Sequence, residues 1–334
     1  MSGPRVSVVI PVRNAGAYLA AALESVLLQT RPVDEVLVID DGSDDETPAV
    51  IERYRTSIRA LSCPGLGASA ARNLGLTQAS GDWVAFLDAD DIWMRDKLER
   101  QFTYLVEHPE CELIFTDAYV VDEAGRRPAT YLAGRLPVRI DRASLLQDNY
   151  ICTSSVLART AALRELGGFL DGLRVAQDYD LWLRFLAGRP AACVEQPLVE
   201  YRVRPGSVSN DMISNLRETL QALEAERRAG GGAGWLAYAR RVFPLHYTLG
   251  HLHLLQGDPG AARAAFCRAV RAHPWSLKAW FFYLASLGGR RIAIPLKAAI
   301  AVWRLLAGGH EPDGVHGSGS LRPRPLPRRS DGVV

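Results

Sequence analysis

Trp83-Val84-Ala85-Phe86-Leu87-Asp88-Ala89-Asp90-Asp91 is the stretch on which the reading of the chain turns. Its first five residues form a short apolar run rich in strand formers, which suits a buried strand of a mostly parallel sheet. Three carboxylates, Asp88, Asp90 and Asp91, fall where that strand should end. In open α/β sheets the carboxyl ends of parallel strands border the ligand crevice. Carboxylates buried together repel one another unless a cation or hydrogen-bond donors compensate. Mg²⁺ or Mn²⁺ is the expected compensator, because such ions take oxygen ligands and share them with substrate phosphates. Taken alone, the same residues read more readily as a polar turn, with Asp91 capping the next helix. The neighbouring segments reverse that preference.

Upstream, Gly65-Leu66-Gly67 follows a third strand near Ile58–Ser62 and opens a small-residue helix that runs to Ala79. Arg72, on this helix, could reach a diphosphate. Val36–Ile39 reads as the second strand and runs straight into Asp40-Asp41-Gly42. Helix signals then resume from Glu46 to Tyr54. Val6–Val12 is a β-branched run and reads as the first strand. Pro11 removes a ladder donor, so that strand should finish there or lie at an exposed point. Asn14 is expected to cap a helix over Ala15–Leu28. Strand, helix, strand, helix predicts βαβ units on a parallel sheet. Asp40 and Asp41 end a strand as Asp88 and Asp90 do, so both clusters should face one crevice. Standing alone, Asp40 and Asp41 fit a Gly-centred turn equally well.

Downstream, the pattern predicts a helix over Asp96–Val106, strands at Glu112–Phe115 and Tyr119–Val121, a helix around Ala143–Gln147 and a strand over Ser154–Ala158. Asp178 stands at the start of an amphipathic helix, where a cap is the simplest role. Pro197–Tyr201 reads as a last strand. The run Arg202–Ser209 is basic and broken by Pro205 and Gly206, as lids over anionic ligands are. From Asp211 the chain turns all-helical. Gly250, Ala262, Phe266, Ala269 and Pro274 fall at the offsets of one tetratricopeptide unit, with Gly257-Asp258-Pro259 as its turn. His246, His251 and His253 read as ordinary helix-surface histidines. Ile292–Leu306 is apolar with basic neighbours, and either packs internally or lies on an anionic membrane surface. The Gly-, Pro- and Arg-rich tail from Gly308 has the composition of a disordered segment.

Composition narrows the classes further. The chain has 334 residues, 48% apolar and 23% charged, which suits an ordinary globular protein of one large domain plus an appendage. The formal net charge of +2 makes no electrostatic case for nucleic acid. Five scattered cysteines with no Cys-x-x-Cys predict buried free thiols in a reducing cytosol, with no zinc site. No signal peptide and no spanning apolar run is visible. A cytoplasmic protein is expected, with peripheral contact at the cytoplasmic face of the inner membrane if the Ile292–Leu306 segment lies on lipid.

Val9-Ile10-Pro11-Val12-Arg13-Asn14, Val38-Ile39-Asp40-Asp41-Gly42-Ser43, Gly67-Ala68-Ser69-Ala70-Ala71-Arg72-Asn73, Phe86-Leu87-Asp88-Ala89-Asp90-Asp91 and Gln177-Asp178-Tyr179-Asp180-Leu181-Trp182 follow one another in a familiar order. Together they resemble the family 2 glycosyltransferases, over about Val6 to Ser209. The resemblance implies the A-type glycosyltransferase fold, a nucleoside-diphosphate-sugar donor, a divalent cation, a saccharide or lipid-linked acceptor and inversion at the anomeric carbon. With the helical pattern beyond it and the composition of the tail, the chain divides into a catalytic domain over 1–210, a helical appendage over 211–307 and a tail over 308–334. By motif, Pro11 and Arg13 would line the nucleotide pocket, and Asp40 or Asp41 would contact the base. Arg72 would lie near base and phosphates, Asp88 would meet the ribose, Asp90 would bind the metal and Asp178 would be the catalytic base. Arg202 and Arg204 would fold over the diphosphate. Two positions depart from the family pattern: Gln177 stands where Glu is commoner, and Arg204 where His often stands. A nucleotidyltransferase is disfavoured because Arg13-Asn14-Ala15-Gly16 is too poor in glycine and lysine. A non-catalytic sugar-nucleotide-binding module that recruits partners through its helices is the other rival.

Overall fold

The computed structural model describes residues 3–122, 125–204, 211–230 and 234–288, and the chain divides into two compact units near Ser207. The lid residues beyond Arg204, the Ile292–Leu306 segment and the tail lie outside the described residues.

The first unit is built on one sheet. Its elements are β1 (Val6–Val12), α1 (Gly16–Leu27), β2 (Glu35–Asp40), α2 (Thr47–Arg53), β3 (Arg59–Ser62), α3 (Ala68–Gln78), β4 (Trp83–Phe86), β5 (Ile92–Trp93), α4 (Lys97–Glu107), β6 (Leu113–Val121), β7 (Ala129–Thr130), α5 (Arg142–Gln147), a 3-10 turn (Thr153–Ser155), β8 (Leu157–Arg159), α6 (Thr160–Glu165), α7 (Gln177–Phe185) and β9 (Ala191–Arg202). The strand order is β3-β2-β1-β4-β8-β6-β9-β5, with β7 added to β6. The expected parallel sheet occupies β1 to β4. Beyond β4 the sheet is mixed: β8 runs antiparallel to both its neighbours, while β6 and β9 are parallel.

The core follows from the side-chain periods. All seven residues of β1 are buried, as a strand covered on both faces requires. Leu19, Leu23 and Val26 of α1 recur at helical spacing and are buried in the same cluster as Val8, Ile10 and Val36. Each such side chain contributes roughly 1.5–3 kcal/mol on burial. Gly75 lets α3 lie against β1, since a Cβ there would meet Val9 Cγ1 at 2.3 Å.

Several local expectations are corrected. Asn14 does not cap α1: it adopts φ 51, and its side chain accepts from the Asp44 N–H at 2.9 Å. Asp91 is not a helix cap either, because α4 begins only at Lys97 and Asp91 is buried. The two strands expected around Thr116-Asp117 are one strand, β6, carried through a register irregularity. Residues 153–155, expected partly as strand, form the 3-10 turn.

The second unit holds α8 (Met212–Arg228), α9 (Trp235–Gln256), α10 (Pro259–Ala272) and α11 (Leu277–Leu287). Its inter-helix turn falls where expected. Gly257 closes α9 at φ +79, Asp258 accepts from the Ala261 N–H at 2.9 Å, and Pro259 takes the first helical position. Phe266, fully buried, packs in the cluster of Leu254 and Ala262. His246 and His253 are buried rather than on the helix surface, because α9 is covered on more than one face. Among the described residues no helix is long and apolar enough to cross a membrane.

Candidate active site

The site begins where β1 and β4 part. β1 pairs with β4 only from Val6 to Val9, but with β2 through Val12. The chain winds to β2 and β3 on one side of β1 and to β4 on the other. A crevice at the carboxyl ends is the expected consequence of such a switch point. Pro11 lies in the stretch where β1 has a strand partner on one side only, so it stays within the strand without breaking a bond to β4. Arg13 follows at the strand end, more than half exposed, with Nη1 4.0 Å from Asp41.

The two acidic clusters differ in their burdens. Both oxygens of buried Asp41 accept backbone N–H groups, from Leu66 and Gly67, each at 2.8 Å. Asp41 therefore braces the glycine loop that opens α3. Asp40 accepts from the Ser43 N–H at 3.0 Å and keeps partial exposure. Asp88 forms an ion pair with Arg72, which is 5% exposed and whose guanidinium lies 5.4 Å from the Phe169 ring. Arg72 Nε and Nη1 are buried without a hydrogen-bond partner. Buried orphan donors are rare, and these belong to a cation paired with the strand-end carboxylate of Asp88.

Asp90 and Asp91 point to different tasks. Asp91 is 1% exposed and accepts from Ser154 Oγ at 2.5 Å and the Arg202 N–H at 2.9 Å. Burial, then the charges of Asp90 and Asp88, push it well above the usual carboxylate range. It ties β9 to the 3-10 turn. Asp90 accepts from Arg204 Nε at 2.7 Å. Burial and the neighbouring Asp88 push Asp90 up, and Arg204 opposes them. Arg202 Nε donates to the Asp90 carbonyl at 3.1 Å, and both arginines lie about 5.4 Å or less from the Tyr18 ring. Tyr18 is a site residue that sequence reasoning missed; one tyrosine in an amphipathic helix carries no signal.

The turn Thr153-Ser154-Ser155 is the larger omission. Thr153 Oγ1 donates to Asp178 Oδ2 at 3.1 Å. Ser154 Oγ donates to Asp91 and accepts from the Asp88 N–H at 3.1 Å. Consecutive residues thus serve two carboxylates, those of Asp178 and Asp91, and the backbone of a third acidic residue, Asp88. The turn is itself held from behind: Trp93 Nε1 donates to the Ser154 carbonyl at 2.7 Å and Gln101 Nε2 to the Ser155 carbonyl at 2.9 Å. The available signal was three adjacent hydroxyls before an apolar strand, in a chain already rich in carboxylates.

Asp178 lies in the first turn of α7, not at its cap, and is partly exposed. Its Oδ1 accepts from the Tyr179 N–H at 2.7 Å. Burial pushes it above the usual carboxylate range, against the pull of that N–H, of Arg72 and of Thr153. Asp180, two residues on, is committed elsewhere: Arg184 Nε and Nη2 donate to its Oδ2 at 2.9 and 2.8 Å. Gln177 is buried and accepts from Ser69 Oγ, which ties α7 to α3.

The comparisons with known proteins bear on the fold and the family. The glycosyl transferase family 2 model matches residues 7–167, and a tetratricopeptide repeat model matches residues 243–287. Asp178, Arg202 and Arg204 lie beyond the first matched segment. The chain is 30% identical to the Bacillus subtilis "Putative teichuronic acid biosynthesis glycosyltransferase TuaG" over 221 residues, 65% of this chain and 86% of that protein. It is 27% identical to an uncharacterized Methanocaldococcus jannaschii glycosyltransferase over 210 residues, 61% of this chain and 72% of that one. Among solved structures, residues 1–349 of S. aureus TarS with UDP-GlcNAc align with TM-score 0.61 at 18% identity, covering 88% of this chain and 92% of that one. The mannosyltransferase PcManGT from Pyrobaculum calidifontis, in complex with GDP-Man and Mn²⁺, aligns with TM-score 0.56 at 21% identity, covering 92% and 84%. The first unit therefore has the A-type glycosyltransferase fold, and the chain belongs to glycosyl transferase family 2.

Proposed function

We propose that the chain transfers a sugar, with inversion, from a nucleoside-diphosphate-sugar to a hydroxyl of a saccharide or lipid-linked acceptor in envelope polysaccharide synthesis. The observation that carries this is one short turn, Thr153-Ser154, bonding to Asp178 on one side and to the Asp88–Asp91 strand end on the other. A nucleotide-binding strand end and a raised carboxylate are thereby held in one frame. The similarity to TuaG supports the envelope setting.

The donor set fits a divalent cation. Asp88 and Asp90 supply carboxylate oxygens: Arg72 meets Oδ1 of Asp88 and Arg204 meets Oδ2 of Asp90, which leaves each carboxylate a second oxygen for a cation. Mg²⁺ and Mn²⁺ are commonly held by one or two carboxylates, with phosphates and water completing the shell. Bound there, such an ion would neutralise the leaving diphosphate. The chain's own residues do the rest. Arg72, whose buried Nε and Nη1 have no partner, supplies the positive charge that the anionic donor meets. Pro11, Arg13 and Asp40 border the nucleotide, while Asp41 keeps the glycine loop in place. Asp178 accepts the proton of the attacking hydroxyl, and burial, which lifts it above the usual carboxylate range, makes it a stronger base. The hydroxyl oxygen bonds to the anomeric carbon as the bond from that carbon to the diphosphate oxygen breaks. Attack from the face opposite the diphosphate inverts the configuration. Arg202 and Arg204 stand ready to cover the diphosphate and exclude water.

Asp178→Asn tests the reading. Transfer, measured as nucleoside diphosphate release with acceptor present, should fall by about 10²–10⁴ while donor affinity is kept. Near-normal turnover would remove Asp178 from the mechanism.

A further inference from the structure

The helical unit contains a cavity of about 730 Å³ between α8, α9 and α10, a size suited to a small organic ligand. Five arginines line it, Arg217, Arg227, Arg228, Arg268 and Arg271, against a single carboxylate, Glu224. That carboxylate is fully engaged. It accepts from Arg227 Nη2 at 2.8 Å, Arg228 Nε at 3.1 Å and the Tyr238 hydroxyl at 2.8 Å. These bonds hold it down at about 2. The other three arginines face no such partner. Arg217 donates to His253 Nε2 at 3.2 Å. Among the described residues Arg268 and Arg271 have no carboxylate within ion-pair distance.

Two buried side chains in the lining point the same way. His246 and His253 are 8% and 3% exposed, and Nδ1 of each has no hydrogen-bond partner. Because a guanidinium donates to His253 Nε2, the ring proton resides on Nδ1 and is a buried donor without an acceptor. Burial and the charge of Arg268 lower His246 to about 4, so it is neutral at pH 7 and contributes no further charge. Apart from Gln221, the rest of the lining is apolar or aromatic, with Trp235, Val242 and Leu249 prominent. Unspent guanidinium groups and a buried donor ask for an anion, and the apolar wall asks for a hydrocarbon stem.

We propose that this cavity binds an amphiphilic phosphate ester, its anionic head held by Arg217, Arg268 and Arg271 and its apolar stem along Trp235, Val242 and Leu249. Guanidinium forks match carboxylate and phosphate oxygens, and a phosphate head offers enough oxygens to meet three of them at once. A bare anion would leave the apolar wall unused, and a neutral amphiphile would leave the arginines unmet. The ester is either a soluble molecule or the head of a polyprenyl phosphate lipid. The site is separate from the β1–β4 crevice, since every lining residue belongs to the helical unit.

The full chain is titrated calorimetrically, in EDTA, with inorganic pyrophosphate, farnesyl diphosphate and farnesol. Farnesyl diphosphate should bind at least about tenfold tighter than pyrophosphate, and farnesol should not bind. Arg268→Gln/Arg271→Gln should weaken farnesyl diphosphate by about tenfold or more. Both side chains are exposed, so the double variant should keep its Tm. Arg72→Gln, in the crevice, should leave this binding unchanged. Flotation with phosphatidylcholine vesicles, with and without a polyprenyl phosphate, separates the sources. Retention that needs the polyprenyl phosphate and is lost in the double variant assigns a lipid, and binding of farnesyl diphosphate without retention assigns a soluble ester. Equal affinity in wild type and Arg268→Gln/Arg271→Gln overturns the proposal, as does a loss seen in Arg72→Gln instead, or farnesol binding as tightly as farnesyl diphosphate.

Discussion

Thr153→Val removes one hydroxyl and almost nothing else, and its effect can be worked from the structure. Thr153 donates to Asp178 Oδ2 at 3.1 Å, while the Tyr179 N–H to Oδ1 at 2.7 Å is untouched. A hydrogen bond to an ionised group is worth about 1.5–3 kcal/mol, and this one is long, so the lower end applies. At 1.36 kcal/mol per unit, the loss is about one pKa unit. The sign follows from which form is stabilised. The hydroxyl favours the charged carboxylate, so removing it raises a pKa that burial has already raised. A base works only when ionised, so the acid limb of kcat/KM should move up by about one pH unit. Well above that limb, wild type and variant should agree to within a few-fold. The assay is nucleoside diphosphate release with acceptor, followed from about pH 5 to about pH 9. An unmoved limb would refute the pairing of Thr153 with the base. An equal loss at every pH would show that Thr153 serves structure alone.

Three further outcomes follow from the same geometry. Asp90→Asn should abolish most transfer and weaken nucleotide binding only when Mn²⁺ is present, because a neutral amide is a poor ligand for a hard cation. Isothermal titration with and without Mn²⁺ checks this, and equal affinities throughout would remove Asp90 from the metal site. Asp178→Asn should not lower Tm at neutral pH. A carboxyl raised in the folded state contributes stability at low pH that is lost as pH rises through its folded pKa, so at pH 7 the ionised form opposes folding. A clear drop in Tm would instead make Asp178 a structural residue. Gly75→Ala should cost about 1–3 kcal/mol, because the new methyl would lie 2.3 Å from Val9 Cγ1. A melt indistinguishable from wild type would show that α3 can lift off β1 freely.

Much of the fold was legible because local period and global packing agree over β1 to β4. A β-branched run such as Val6–Val12 can satisfy its side chains only between two covering layers, and it does so with every residue buried. The second half of the sheet was read less well. Thr116-Asp117 looks like a break because a carboxylate in a central strand needs donors. The strand survives since Asp117 Oδ1 accepts the N–H groups of Ala118 and Leu132, both at 2.8 Å. Leu132 arrives from outside the strand, and nothing local announces it. Similarly, Ser154 resembles strand because Val156-Leu157-Ala158 follows, yet its hydroxyl is drawn to Asp91, 63 residues away.

The sequence by itself determined the parallel half of the sheet, the acidic strand ends and the tetratricopeptide-like turn at Gly257-Asp258-Pro259. These are properties of neighbouring residues, carried by period and turn chemistry. Tertiary structure alone decided which carboxylate does what. Asp40 and Asp41 are adjacent and chemically identical, but only Asp41 meets the Leu66 and Gly67 amides. Asp178 and Asp180 share one helical turn, but Arg184 neutralises only Asp180. Asp90 and Asp91 are likewise divided, Arg204 to one and Ser154 to the other. The ionisation of a carboxylate depends on its burial and on donors brought from distant segments. Those quantities do not exist until the chain has folded.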